Sequence, residues 1–148
     1  MGDESMNVKD IMTSKVAYVS PETTVTEAAQ LMQKHNIGSM PVCQGDNVVG
    51  IVTDRDIVVR NVAHGKDAGS TPVSDVMTSS VHTISPQEDI HTAARLMADK
   101  KVRRMPVTDG NRLVGMLALG DLATQARYDV ELALTLGEIS EPAKPQQM

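Results

Sequence analysis

The chain repeats itself. Residues 8–57 and 73–122 align without a gap at an offset of 65 positions, and 19 of the 50 aligned positions are identical. VKDIMTSKVAYVSPETTV lies over VSDVMTSSVHTISPQEDI, AAQLM over AARLM, MPV over MPV, and VVGIVTDRDI over LVGMLALGDL. Self-similarity at this level means two copies of one structural unit. A unit of about 50 residues buries too small a fraction of its surface to stand alone. Two copies in one chain can cover each other, so the repeat predicts one compact body with pseudo-twofold symmetry.

Each copy reads as β-α-β-β-α. KVAYVS is β-prone and ends at Ser20-Pro21, where proline punctuates it. Val25, Ala28, Ala29 and Met32 then fall on one helical face, and Thr24 with Glu27 forms a capping box. In the second copy Asp89 caps a helix whose face carries Ile90, Ala93, Ala94 and Met97. SMPVC and RMPVT read as strands, QGDN and DGNR as turns, and VVGIVT and RLVGMLA as second strands. DRDIVVRNV and GDLATQAR close the units as short helices. The expected class is α+β, a mixed α/β fold whose two repeats pack through their sheets and face across a cleft. The organisation predicted is a leader over 1–7, one repeat over 8–62, a Gly/Ser/Pro-rich linker over 63–72, a second repeat over 73–127, and a C-terminal helix and tail over 128–148. In YDVELALTLGEI, Val130, Ala133, Leu134 and Leu136 recur near helical spacing, so this helix is expected to pack on the domain or on a second chain.

Composition narrows the function classes. There is no apolar run of about 18 residues, so no membrane-spanning helix is expected. A single cysteine, Cys43, can make neither an intrachain disulfide nor a four-cysteine zinc site, which points to a reducing, cytoplasmic setting. The net charge of -5 argues against a general nucleic-acid binder, and Tyr18 and Tyr128 are too few to stack single-stranded bases. Ten methionines supply the bulk that aromatics usually give a core. The histidines at 35, 64, 82 and 91 have no metal-ligand spacing, and no acid–base or nucleophile pair stands out. No metal site, no required cofactor and no enzymatic activity are expected.

Two segments carry candidate chemistry. Gly50-Ile51-Val52-Thr53-Asp54-Arg55-Asp56 passes from strand to helix. A helix start offers unpaired N–H groups to a phosphate, the Thr53 hydroxyl and Arg55 add donors, and Asp56 suits a ribose diol. Thr53 and Asp56 also read as ordinary helix caps. In the second copy Asp121 matches Asp56, while Ala118 and Gly120 replace Thr53 and Arg55. The second segment is Lys100-Lys101-Val102-Arg103-Arg104, which stands where the first copy has His35 to Ser39. Six of the 14 basic residues lie between Arg95 and Arg112, against two acids. Lys100 and Lys101 read equally as a solvated helix end, whereas Arg103 and Arg104 lead toward the cleft and offer countercharge to phosphate.

The pattern DIMT, VSP, AA-x-LM, MPV, VGIVT-x-RDI, present twice over about residues 6–126, resembles the CBS domain, and the tandem resembles a CBS pair, or Bateman module. The resemblance implies a regulatory module that binds an adenosyl ligand: AMP, ADP or ATP, and in some members NAD or S-adenosylmethionine. Carried over residue by residue, it assigns Asp56 to the ribose and Thr53 to phosphate, with Arg55 between. It assigns the backbone near Val16 and Ala17 to adenine, Ser39, Met40 and Pro41 to the purine pocket, and Arg104 to phosphate. Asp121 could hold a second ribose, weakened by Ala118. The resemblance also implies a homodimer, with output passing to a separate effector protein. The competing reading is a dimerisation scaffold with no bound nucleotide. A nucleic-acid partner at Lys100–Arg104 is disfavoured by the net acidity.

Overall fold

The computed structural model describes residues 6–126 and 130–140. In chain order these form α1 (Val8–Ile11), α2 (Val25–His35), β1 (Ser39–Gln44), β2 (Asn47–Thr53) and α3 (Asp54–Ile57). A π-helical turn over Val58–Val62 continues α3, and a 3-10 turn at Val73–Asp75 opens the second half. There follow α4 (Ile90–Lys100), β3 (Arg104–Asp109), β4 (Arg112–Ala118), α5 (Leu119–Ala126) and α6 (Val130–Ser140). The architecture is the mixed α/β pair of repeats that the sequence predicts. Tyr128 and the tail beyond Ser140 lie outside the described residues.

Both hairpins are antiparallel and carry an irregularity at the same repeat position, Val42/Cys43 and Val107/Thr108. The hairpins join through one pair, Asn47 with Arg112, into a four-stranded sheet of order β1-β2-β4-β3. The first strand of each unit is reduced to a single parallel bridge, Val19 with Val42 and Ile84 with Val107. Pro21 and Pro86 follow within two residues, and proline cannot extend a ladder.

The segments that open the two repeats, residues 6–17 and 71–82, here called the leaders, are exchanged. Residues 6–13 pack on the second repeat, not on their own. Val8 N–H donates to Glu88 (2.8 Å), Lys9 N–H to Pro86 (2.9 Å), and Ile90 N–H to Met6 (3.1 Å). The symmetry-related set is Val73 to Thr23 (2.7 Å), Ser74 to Pro21 (3.0 Å) and Val25 to Thr71 (2.9 Å). Accordingly Val8 is buried among Ile84, Ile90, Met97, Met105 and Leu117, while Val73 and Val76 are buried among Val19, Val25, Met40 and Val52. Each such valine contributes about 1.5–3 kcal/mol by leaving water. Arg60 adds a tie, donating to the carbonyls of Val76 (3.3 Å) and Met77 (3.0 Å). Each core is therefore completed by the other half's sequence.

The helices obey local rules. Thr24 and Glu27 form the expected box: Glu27 N–H donates to Thr24 Oγ1 (3.2 Å) and Thr24 N–H to Glu27 Oε1 (3.0 Å). The Thr24 backbone amide first, and its hydroxyl second, hold the Glu27 carboxyl below its ordinary value. Asp89 caps α4 through His91 N–H (2.7 Å) and pairs with His91 Nδ1 (3.0 Å). Burial works against the Asp89 carboxylate, but the bonds from His91 prevail and its pKa is lowered. Asn36 and Lys101 end α2 and α4 in the left-handed region, at φ 53° and 57°.

One asymmetry breaks the pairing of the halves. Ala28 is buried and Ala29 exposed on α2, yet both Ala93 and Ala94 are buried on α4. The cause is α6, which lies against α4 and α5. Its buried stripe is Leu132 and Leu136, while Ala133 and Leu134 face out, Leu134 at 70% exposure. The helical spacing read from sequence places Leu136 correctly but takes Ala133 and Leu134 in place of Leu132, because apolar residues lie on more than one side of α6. On the first repeat, Val58, Val59 and Val62 remain exposed.

Candidate functional site

The leader exchange builds a cleft at the junction of the repeats. Thr13 pairs with Met116 of β4 through two backbone hydrogen bonds, both 2.9 Å. The leader continues so that Lys15, Val16 and Ala17 face Ile37, Ser39 and Pro41 of their own repeat and Arg104, Met116 and Ala118 of the other, around a cleft of about 100 Å³. Arg104 pairs with Ala118 across β3 and β4. Arg104 and Ala118 also line a more open groove of about 430 Å³, completed by Arg103, Leu119, Gly120, Ala123 and Leu136.

The polar groups differ in how far they are already engaged. Ser39 Oγ is buried and has no hydrogen-bond partner among the described residues. Leaving a buried hydroxyl unpaired costs about 1–3 kcal/mol. The strand-to-helix turn at Thr53 is self-satisfied instead. Thr53 N–H donates to Asp56 Oδ2 (3.0 Å) and Asp56 N–H to Thr53 Oγ1 (3.0 Å). Asp54 N–H reaches Gly38 O (2.9 Å), and Arg55 N–H reaches Asp54 Oδ1 (2.8 Å). The backbone donors foreseen for a phosphate at the start of α3 thus already have partners. At α5 Ala118 N–H donates to Asp121 Oδ2 (2.8 Å) and Leu119 N–H to Arg103 O (2.8 Å), but Ala118 has no hydroxyl to cap Asp121 N–H as Thr53 caps Asp56 N–H. Countercharge for an anion here comes from side chains.

The residues singled out from sequence divide into two groups. Val16, Ala17, Ser39, Pro41 and Arg104 share the cleft, and Arg103 lines the adjoining groove. Asp121 anchors the start of α5 beside that groove through Ala118. Thr53, Arg55 and Asp56 are not in this lining. Asp56 Oδ1 instead accepts from the Thr78 hydroxyl (3.4 Å), which belongs to the second leader where it pairs with Ile51. They mark a symmetry-related position, made from β2, α3 and the second leader. Met40 is fully buried in the core, so its side chain does not reach the cleft. Thr13, Lys15, Ile37, Met116 and Ala118 complete the lining without having been proposed for it. For Lys15 a signal existed: it aligns with Ser80, a charge gained in one copy only.

Elsewhere the site chemistry is sparse. Cys43 is buried, and burial first, then the Asp46 charge, pushes its thiol pKa up, so it behaves as packing. A wider groove of about 720 Å³ runs along α4 past Arg95, Asp99 and Thr135, but it gathers none of the predicted residues. Among the described residues, no three His, Cys, Asp or Glu side chains cluster as metal ligands, and no helix is long and apolar enough to cross a membrane.

A tandem α/β pair with crossed leaders and a cleft at the junction is a recognisable class of module. The CBS domain model matches residues 8–61 and 73–127, and the chain belongs to that family. It is 45% identical over 134 residues to the CBS domain-containing protein YhcV of Bacillus subtilis, covering 90% of this chain and 95% of that one. It is 35% identical over 116 residues to hypoxic response protein 1 of Mycobacterium tuberculosis, covering 78% and 81%. A crystal structure of Hypoxic Response Protein I with two coordinated zinc ions superposes with a TM-score of 0.73 at 34% identity, covering 81% of this chain and 98% of that one. The CBS domain pair of protein MJ0100, solved with 5′-methylthioadenosine and S-adenosyl-L-methionine, gives a TM-score of 0.71 at 27% identity, covering 82% and 96%.

Proposed function

We propose that this CBS pair is a regulatory module that takes an adenosine-containing ligand between its repeats and passes its state to a separate protein. The observation that carries the reading is Ser39 Oγ, a buried hydroxyl without a partner, in a cleft whose other rim is Arg104. An unpaired hydroxyl and a guanidinium at opposite rims fit a ligand with a polar base or sugar and an anionic tail. The adenosyl ligands of the MJ0100 pair support the base, and Arg103, Arg104 and Lys15 favour AMP, ADP or ATP over S-adenosylmethionine. NAD, with its pyrophosphate, is the next choice. No catalytic role is assigned; occupancy acts by favouring one arrangement of the repeats.

The test is a thermal-shift and calorimetric panel of adenosine, AMP, ADP, ATP, NAD and S-adenosylmethionine. Arg104→Ala should abolish most of the response to phosphorylated ligands, and Asp56→Ala should leave binding at this cleft in place. A flat response to the whole panel would refute the reading. The alternative, a dimerisation scaffold, draws on the self-satisfied turn at Thr53 and on alanine at 118 where the first copy has that threonine. Recovery of a stoichiometric nucleotide with the purified chain would exclude it. Either way a homodimer is proposed through the exposed face of Val58, Val59 and Val62. Sedimentation of Val62→Glu as a monomer would support that face.

A further inference from the structure

The cleft of about 100 Å³ is too small for a nucleotide, since small-molecule sites run to roughly 300–1,000 Å³. The remainder of the ligand has an outlet. Arg104 and Ala118 line both the cleft and the groove of about 430 Å³ beside it. Arg103 and Arg104 line that groove together with Leu136 of α6. Leu136 is nearly buried there, together with Leu132, in the core of the second repeat.

Resting on the ligand reading above, we propose that α6 reports what the cleft holds: the phosphate end of the ligand and Leu136 compete for one groove, so a phosphorylated ligand loosens α6. The physical conflict is direct. Phosphate oxygens keep water or charge around them, and placing them against Leu119, Ala123 and Leu136 strips that water without replacing it. The Ala118 and Leu119 N–H groups at the start of α5 are taken by Asp121 and Arg103, so those two do not compensate. The least costly arrangement keeps the phosphates on Arg103 and Arg104 and lets α6 move outward. Adenosine, with no phosphate, reaches the cleft and leaves α6 docked. Coupling is reciprocal: weakening the α6 contact must strengthen binding of the phosphorylated ligand alone.

The experiment is hydrogen exchange by mass spectrometry on the full chain, alone and saturated with adenosine, AMP or ATP. Exchange across residues 130–140 should quicken about 5-fold or more with AMP and ATP and stay unchanged with adenosine. Leu136→Ala should tighten AMP by a similar factor and leave adenosine unaffected; the wild-type exchange data stand if that variant is poorly folded. If AMP binds and exchange in α6 slows or does not change, the inference is overturned and the ligand reading survives. If no adenosyl compound binds, the ligand reading itself has failed, and this inference with it.

Discussion

The exchanged leader makes a quantitative demand at Gly115. A methyl group added there would sit 2.5 Å from Met12 Sδ and 2.9 Å from the carbonyl oxygen of Thr13. The methionine end can swing away. The carbonyl cannot, because it accepts from Met116 N–H while Thr13 N–H donates to Met116 O, both at 2.9 Å. Gly115→Ala must therefore lift the leader from β4. Overpacking costs about 1–3 kcal/mol and two weakened hydrogen bonds about 1 kcal/mol each, for roughly 3–5 kcal/mol in all. For a chain of this size that lowers Tm by about 6–20 °C. Gly50→Ala is the matched control, since its methyl would lie 2.9 Å from Thr78 O on the other leader. Both variants should lose similar stability in thermal and urea melts. Only Gly115→Ala displaces Lys15, Val16 and Ala17, so it alone should weaken ligand at the described cleft. An unchanged Tm in both would refute the account of the leaders lying across these glycines.

Other consequences are local. Lys101 ends α4 at φ 57°, where a side chain is strained, so Lys101→Gly should stabilise by up to about 1 kcal/mol, read as a higher urea midpoint. Thr24→Ala removes the α2 cap and should cost about 1 kcal/mol in the same assay. The capping bonds lower the Glu27 pKa, so its contribution is complete above the unfolded carboxylate pKa and is lost as pH falls through the lower folded value. Wild type should therefore lose this increment on acidification and Glu27→Gln should not, which a melt series below about pH 5 will check.

Much of the fold was legible because its signals are short-range. The Thr24–Glu27 box, the Asp89 cap, the turn glycines at 45 and 110, and both hairpins rest on neighbours a few residues apart. The candidate cleft was legible in part. Val16, Ala17, Ser39, Pro41 and Arg104 came from the family pattern and do converge. The pattern did not say which copy's Thr-x-x-Asp segment faces which leader, so Asp56 was grouped with Val16 and the structure sets it beside Thr78. Ala29 and Leu134 carried no warning that one would be left uncovered and the other turned outward.

By itself the sequence determined two copies of a unit too small to fold alone, the helices and hairpins in each, and the family to which they belong. Tertiary structure decided the exchange of leaders, the membership of the cleft and the face on which α6 lies. The reason is degeneracy: VKDIMTS and VSDVMTS are nearly the same segment, as are VVGIV and LVGML, so local preferences rate pairing within a copy and between copies alike. The exchange is settled only as the whole chain packs, when Val8, Val73 and Val76 are buried in the opposite cores and the backbone bonds and Arg60 tie the halves together.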